Sequence, residues 1–376
     1  MAIDPIELTK QLVDIESTTY HEGECGEFLA EYLLGLGYDV TRQPVPPPDP
    51  ARTPGALRDK PALPRFNVYA VPRPKDTATN EQLRDELRDP AASAPVVVLS
   101  THFDTVPPFL GPCREDATHL YGRGVCDAKG ILAAQVAASQ QLLEEGIKVG
   151  LLFVVGEERD SAGAKVANEL PLNDPPRPKF LINGEPTDNR LALASKGCLR
   201  VELLASGKMA HSAYPELGDS AINKLLTALE NVRALELPIV EGIGDTTMNI
   251  GILSGGRAPN VIADKAEAHL LIRLVGPAAG IRQSILAACE GLCEVLFTLE
   301  LPFVQMRALE GFDTMVAKFT TDIPSLTTWG EPLLLGPGSI HVAHTPDEKI
   351  LKQELLDCVD LYVRAVKALL NGEAGK

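Results

Sequence analysis

The sequence predicts an α/β protein, a mostly parallel sheet sandwiched by helices and interrupted by a smaller α+β unit of two helices and four strands. Three observations carry that expectation. Short apolar runs at residues 95–100 (PVVVLS), 148–155 (KVGLLFVV) and 179–183 (KFLIN) lack polar alternation, as strands buried on both faces do. An Ala-rich helical stretch at 130–145 separates the first two, which is the pattern of a βαβ unit. From about residue 195 the apolar residues begin to alternate with polar ones, the signature of strands buried on one face only.

Taken in order, Asp4-Pro5 starts a first helix, with Pro at its first position and Leu8, Leu12 and Ile15 at helical spacing. A second helix is expected over 24–34, stopped by Gly35. Residues 44–64 read as a loop because their prolines remove backbone donors. Residues 76–94 read as a polar surface excursion. The inserted unit contains strands at 199–205, 248–253, 266–275 and 295–299 and helices at 220–234 and 279–293. The chain then returns with a strand at 331–335 and a closing amphipathic helix at 350–370. The expected boundaries are 1–194 and 302–376 for the larger unit and 195–301 for the insertion.

The length of 376 residues exceeds what one hydrophobic core serves, in keeping with two units. With 51 acidic against 35 basic residues, the net charge of −16 argues against nucleic acid or an anionic membrane as partner and leaves small molecules. No apolar run approaches the ~18 residues that a membrane span needs. The N-terminal segment lacks the features of a secretory signal. Seven scattered cysteines without a CxxC pair suggest neither disulfides nor a thiolate metal cluster, and fit a reducing cytoplasm.

In an open parallel sheet, ligands sit beyond the carboxyl ends of the strands, so the polar residues there are the candidates. His102 and Asp104 follow the first run; alone, such a pair is as readily structural. Asp127 stands in YGRGVCDAKG, where it either binds a cation or caps the helix that follows. The order of residues does not fit a phosphate loop. Glu157 and Glu158 follow the LLFVVG run, and two adjacent carboxylates there repel each other unless cations or protons compensate. A solvated loop pair is the alternative. Glu185 follows KFLIN by two residues, and His344 lies beyond the strand at 331–335. Together, these acids place about five negative charges in one crevice, of which two divalent cations offset about four. Imidazoles and carboxylates without thiolates suit Zn²⁺, with Co²⁺ or Mn²⁺ as substitutes.

The segments STHFDTVPP, YGRGVCDAKG, VVGEERDSAGA, NGEPTDN, ASKG, GKMAHSAYPELGDSAI, GGRAPNVIAD and GPGSIHVAHTPDE occur in an order and spacing that resemble the co-catalytic zinc family of aminoacylases and carboxypeptidases. That family includes acetylornithine deacetylase and succinyl-diaminopimelate desuccinylase. The resemblance spans almost the whole chain. It implies two zinc ions, one on His102, Asp127 and Glu185, the other on Asp127, Glu158 and His344, with Asp127 bridging. It implies Glu157 as general base and Asp104 as the residue that orients His102. His211, in an inserted lid that also forms a homodimer, would donate to the oxyanion, and Asn260 and Arg273 would bind substrate. His341 competes with His344 for the last ligand position; the HTPDE setting favours His344. A lid-surface role for His211 and a solvated sheet face for Arg273, shared with Glu267 and His269, are the alternatives. His21, His119 and Cys126 read as incidental. Ala128, Ser195 and Ser220 stand where the family often has Met, His and Asn.

The expected activity is hydrolysis of the amide bond of a small N-acyl amino acid, as in acetylornithine deacetylase. The alternatives are a metallo-dipeptidase or carboxypeptidase, a succinyl-diaminopimelate desuccinylase, and, from another class, a metal-containing protein that binds without turnover.

Overall fold

The computed structural model describes residues 3–47, 64–73, 95–170 and 178–374. The expected surface excursion at 76–94 and most of the expected loop at 44–64 lie outside them. Backbone proximity divides the chain into two units, the first made of Met1–Leu193, Met306–Met315 and Thr321–Lys376, the second of Ala194–Gln305 and Val316–Thr320.

The first unit is built on a six-stranded sheet in the order Tyr38–Pro44, Phe66–Pro72, Gly150–Val154, Val97–His102, Phe180–Asn183 and Glu331–Leu334. The last four run parallel, and the first two join them antiparallel. The unbroken apolar runs now have a physical cause. Leu99, Leu151, Phe153 and Ile182 point to one face, where the helices Pro5–Val13, Gly23–Gly35, Lys129–Glu144 and Lys352–Ala374 contribute to the core. Val98, Leu152, Val154 and Leu181 point to the other, against Ala164, Leu326 and Trp329. With both faces dry, these strands carry apolar side chains along most of their length, and their polar residues, Ser100, Thr101, His102 and Asn183, lie toward the carboxyl ends. Lys129–Glu144 connects Val97–His102 to its parallel neighbour Gly150–Val154, completing the βαβ unit.

Two strands of this sheet were not expected. Tyr38–Pro44 is an edge strand with mixed burial, and its sequence, YDVTRQP, alternates too weakly to announce itself. Phe66–Pro72 pairs with it residue for residue, from Tyr38 opposite Pro72 to Pro44 opposite Phe66. The first helix begins where the sequence places it, with the Asp4 carboxylate accepting the N–H of Ile6 at 2.9 Å.

The second unit is a two-layer sandwich. Its antiparallel sheet runs Thr247–Gly255, Lys265–Leu274, Gly197–Ser206, Glu294–Leu301. Every second residue of the central strands is buried: Leu199, Val201, Leu203 and Ala205, and Ala266, Ala268, Leu270 and Ile272. These pack with Leu225, Leu229 and Val232 of the helix Ala221–Arg233 and with Ile281 and Ile285 of Ala279–Ala288. The second helix stops at Ala288, short of the expected 293, because the chain turns at Cys289 toward Gly291, whose φ is +72°. Ser220 caps the first helix by accepting the N–H of Asn223 at 3.3 Å. Asn and Ser cap equally well, so the departure from the family residue leaves the helix start intact. Among the described residues no helix is long and apolar enough to cross a membrane.

Candidate metal centre

The parallel strands of the first unit end at one edge, and each delivers a polar side chain there. His102 is the last residue of its strand; Glu157 and Glu158 follow Gly150–Val154 after the Gly156 turn; Glu185 follows Phe180–Asn183 by two residues. Asp127 arrives on the loop before Lys129–Glu144. Ala128, not Asp127, occupies the cap position of that helix, and no side chain caps it. The capping alternative for Asp127 is therefore excluded, and its carboxylate is spent elsewhere.

That carboxylate lies between the two imidazoles. Its Oδ1 is 3.0 Å from His102 Nε2, and its Oδ2 is 3.3 Å from His344 Nε2. His344 Nε2 is also 3.0 Å from the Glu158 carboxylate. Potential ligand atoms of His102, Asp127 and Glu158 all lie within 4.8 Å of one another. One oxygen toward each imidazole is the disposition of a bridging carboxylate. His344 holds its place with φ of +63°, in the left-handed region that non-glycine residues seldom adopt. Its side chain is half exposed, whereas those of His102, Asp127 and Glu158 are almost fully buried, so the cluster opens to solvent on the His344 side. His341 is exposed, with no part in these contacts.

Asp104 works differently from the expectation. His102 Nδ1 makes its closest contact, 2.9 Å, with the backbone carbonyl of Asp104; the carboxylate is farther, at 3.6 Å. The carboxylate accepts instead from Thr19 Oγ1 at 2.8 Å and from the backbone N–H groups of Glu157 at 3.1 Å and Glu158 at 3.3 Å. It thus orients the imidazole through its main chain and the two glutamates through its side chain. A carbonyl on Nδ1 fixes the tautomer that presents a lone pair at Nε2, as a metal-binding histidine requires.

The electrostatics follow from burial. Desolvation, reinforced by the Glu185 charge, pushes Glu157 well above the usual carboxylate range. Desolvation does the same for Glu185 and, less far, for Glu158. Burial alone would raise Asp127 as well, but hydrogen bonds from both imidazoles hold it below its usual range. Hydrogen bonds to Asp127 and Glu158 raise His344 to about 10. Burial opposes the charged form of His102, yet its contacts with Asp104 and Asp127 and the Glu185 charge hold it high. Glu185 Oε1 is enclosed without a hydrogen-bond partner among the described residues. Crowded, desolvated carboxylates, an orphaned oxygen and two imidazoles without thiolates fit a divalent cation, which would replace the protons.

A further acid belongs to this environment. Asp322, buried before the short turn Ile323–Ser325, is raised to about 6 by desolvation, and its charge raises Glu157 and Glu185 in turn. No apolar strand immediately precedes it, so the rule that located the others passes over it.

The other expected residues lie in the second unit. His211 is exposed, and its Nδ1 accepts the N–H of Ala213 at 3.1 Å. Asn260 is exposed, and its carbonyl accepts the N–H of Ser212 at 3.0 Å. Arg273 shares the helix-free face of its strand with Glu267 and His269.

Residues 98–368 match peptidase family M20/M25/M40. The chain belongs to this family. A probable carboxypeptidase of Aspergillus terreus is 37% identical, the match covering 96% of this chain and 85% of that protein. A peptidase M20 domain-containing protein of Schizosaccharomyces pombe is 36% identical, over 96% and 84%. Among solved structures, a Staphylococcus aureus tripeptidase superposes with a TM-score of 0.72 at 22% identity, covering 97% of each chain. An M20 family metallo-carboxypeptidase from Sulfolobus solfataricus gives 0.66 at 16% identity, over 97% of this chain and 99% of that one. The chain is thus an M20 metallohydrolase in which His102, Asp127 and Glu158 form a candidate metal site. The relatives' names favour the carboxypeptidase alternative over the deacetylase reading.

Proposed function

We propose that this M20 enzyme is a carboxypeptidase-type metallopeptidase that hydrolyses the amide bond preceding a C-terminal amino acid in a short peptide. The observation that carries the reading is the Asp127 carboxylate, shared between His102 and His344 beside an unligated buried base, Glu157. Seven relatives named probable carboxypeptidases, 33–37% identical over nearly the whole chain, support the substrate class. Hydrolysis of an N-acyl amino acid, the acetylornithine deacetylase type, is the second reading, favoured by the GPGSI and AHTPDE segments; it breaks the same kind of bond.

His102, Asp127 and Glu185 would hold one Zn²⁺, and Asp127, Glu158 and His344 the other. When bound, such ions polarise a carbonyl and lower the pKa of water toward ~7. Asp104 fixes the backbone of Glu157, so the base keeps its position through the reaction. Glu157, with its proton affinity raised by burial, takes a proton from the attacking water and delivers it to the departing amine. We assign His211 to the oxyanion and Asn260 and Arg273 to the substrate carboxylate on the family resemblance. A cytoplasmic homodimer formed through the second unit belongs to the same proposal.

The deciding experiment is hydrolysis by the zinc-loaded enzyme of N-blocked dipeptides with free and amidated C-termini, alongside acetylornithine and other N-acetyl amino acids. Cleavage of the free-acid dipeptides with loss of activity on the amides supports the carboxypeptidase. Cleavage of N-acetyl amino acids alone supports the second reading. Inactivity on every amide contradicts both.

A further inference from the structure

The HTPDE segment holds a second acid that the proposed mechanism does not use. Glu348 is 1% exposed, and its carboxylate reaches across to the loop that carries Asp127. Its Oε1 accepts the backbone N–H groups of Gly124 at 2.8 Å, Cys126 at 3.2 Å and Asp127 itself at 3.2 Å. Its Oε2 takes Arg123 Nη1 at 2.6 Å, and Arg123 is 3% exposed. The Glu348 carbonyl also accepts the N–H of Gly122 at 3.2 Å. A buried ion pair is a weak source of stability, because desolvating both charges offsets most of their attraction. What this pair does supply is geometry. One carboxylate ties the peptide of Asp127 to the segment whose His344, four residues earlier, meets the Asp127 side chain.

Gly124, with φ of +92°, allows three N–H groups of this loop to converge on one oxygen, while that of Val125 turns back to the Gly122 carbonyl. Without that carboxylate, three buried N–H groups would lose their acceptor and the Arg123 guanidinium its counter-charge. The loop would have to move to satisfy them, and Asp127 would move with it.

We propose that Arg123 and Glu348 are a positioning pair. They set the Asp127 carboxylate so that each of its oxygens faces a different imidazole, and they hold the His344 segment in register with it. The inference rests on the metal-centre reading above.

The test uses the full chain and reads metal binding as well as activity. Zn²⁺ dissociation constants are measured by competition with a chelating dye for wild type, Glu348→Gln, Arg123→Met and the double variant. The visible spectrum of the Co²⁺-loaded forms and the melting temperatures of the metal-free forms are recorded alongside. Glutamine keeps one acceptor oxygen but turns an amide N–H toward Arg123. Glu348→Gln should weaken Zn²⁺ binding 10- to 100-fold, the usual effect of losing a partner that orients a ligand, and should alter the Co²⁺ spectrum. The double variant should bind no worse than Glu348→Gln, since the two side chains act as a unit. Wild-type affinity and spectrum in both single variants, with only the melting temperature lowered, would make the pair merely structural and overturn the inference. Wild type that binds no Zn²⁺ would overturn the metal-centre reading, and the inference with it. Should Glu348→Gln fail to fold, Arg123→Lys carries the test. It keeps the charge, loses the guanidinium geometry, and should still weaken Zn²⁺ binding severalfold; unchanged binding would again overturn the inference.

Discussion

Glu157→Gln separates the base from the ligands. Its backbone N–H would stay on Asp104 Oδ1, 3.1 Å away in the native enzyme, and its volume would barely change. What disappears is a buried carboxylate whose proton affinity is raised first by desolvation and then by the charge of Glu185. A positioned general base contributes about 10²–10⁴ in rate, or about 3–5 kcal/mol of barrier. The variant should therefore lose at least about 100-fold in kcat while keeping its metal, because none of the contacts that join Asp127, Glu158 and the two histidines involves Glu157. Removing one of several mutually repelling acids should also raise the melting temperature of the metal-free protein. Steady-state kinetics, metal analysis and thermal unfolding on one preparation read all three. A kcat within tenfold of wild type, or metal lost in parallel with activity, would refute the assignment of Glu157 as base.

Three further outcomes follow from the same geometry. Lys129 is buried and donates to the carbonyls of Leu12 at 2.9 Å and Ile15 at 2.7 Å, pinning the loop that carries Asp127 to the end of the first helix. At about 1.5–3 kcal/mol for each of the two bonds to a charged donor, Lys129→Met should destabilise by about 3–6 kcal/mol in chemical denaturation, and a change below about 1 kcal/mol would contradict this. In Gly130→Ala the new Cβ would lie 2.2 Å from the Val125 carbonyl oxygen, so the loop must shift. Both stability and metal affinity should fall, whereas wild-type affinity in a titration would show that the loop absorbs the methyl group. Metal binding should also release protons. His344 is raised to about 10, so at pH 8 the metal-free cluster holds a proton that a cation on this imidazole expels. Affinity should accordingly rise with pH, and titration heats should vary with the ionisation enthalpy of the buffer; buffer-independent heats would contradict the coupling.

The sequence disclosed the candidate edge because burial on both faces leaves strands such as Val97–His102 and Phe180–Asn183 apolar until their last residues. The next polar residue then stands out. Glu157, Glu185 and His102 were legible for that reason. The antiparallel edge was not, since Tyr38–Pro44 is partly solvated and its pattern resembles a polar loop. Asp322 and the Arg123–Glu348 pair escaped for a different reason: each acquires meaning from partners far along the chain, 225 residues apart in the case of Arg123 and Glu348. The resemblance assigned Asp104 to His102, yet only the folded backbone reveals that the main-chain carbonyl does that work and the carboxylate serves Glu157 and Glu158. Substrate class lay beyond local reading altogether, because the resemblance implied the same ligands for the deacetylase and the carboxypeptidase alternatives.

Metal stoichiometry of wild type and Asp127→Ala, measured by elemental analysis after dialysis against buffered Zn²⁺, tests the shared-carboxylate centre most directly. Wild type should retain two ions per chain. Asp127→Ala should retain neither, because its carboxylate serves both positions. Retention of two ions by the variant, or of none by wild type, would contradict the account.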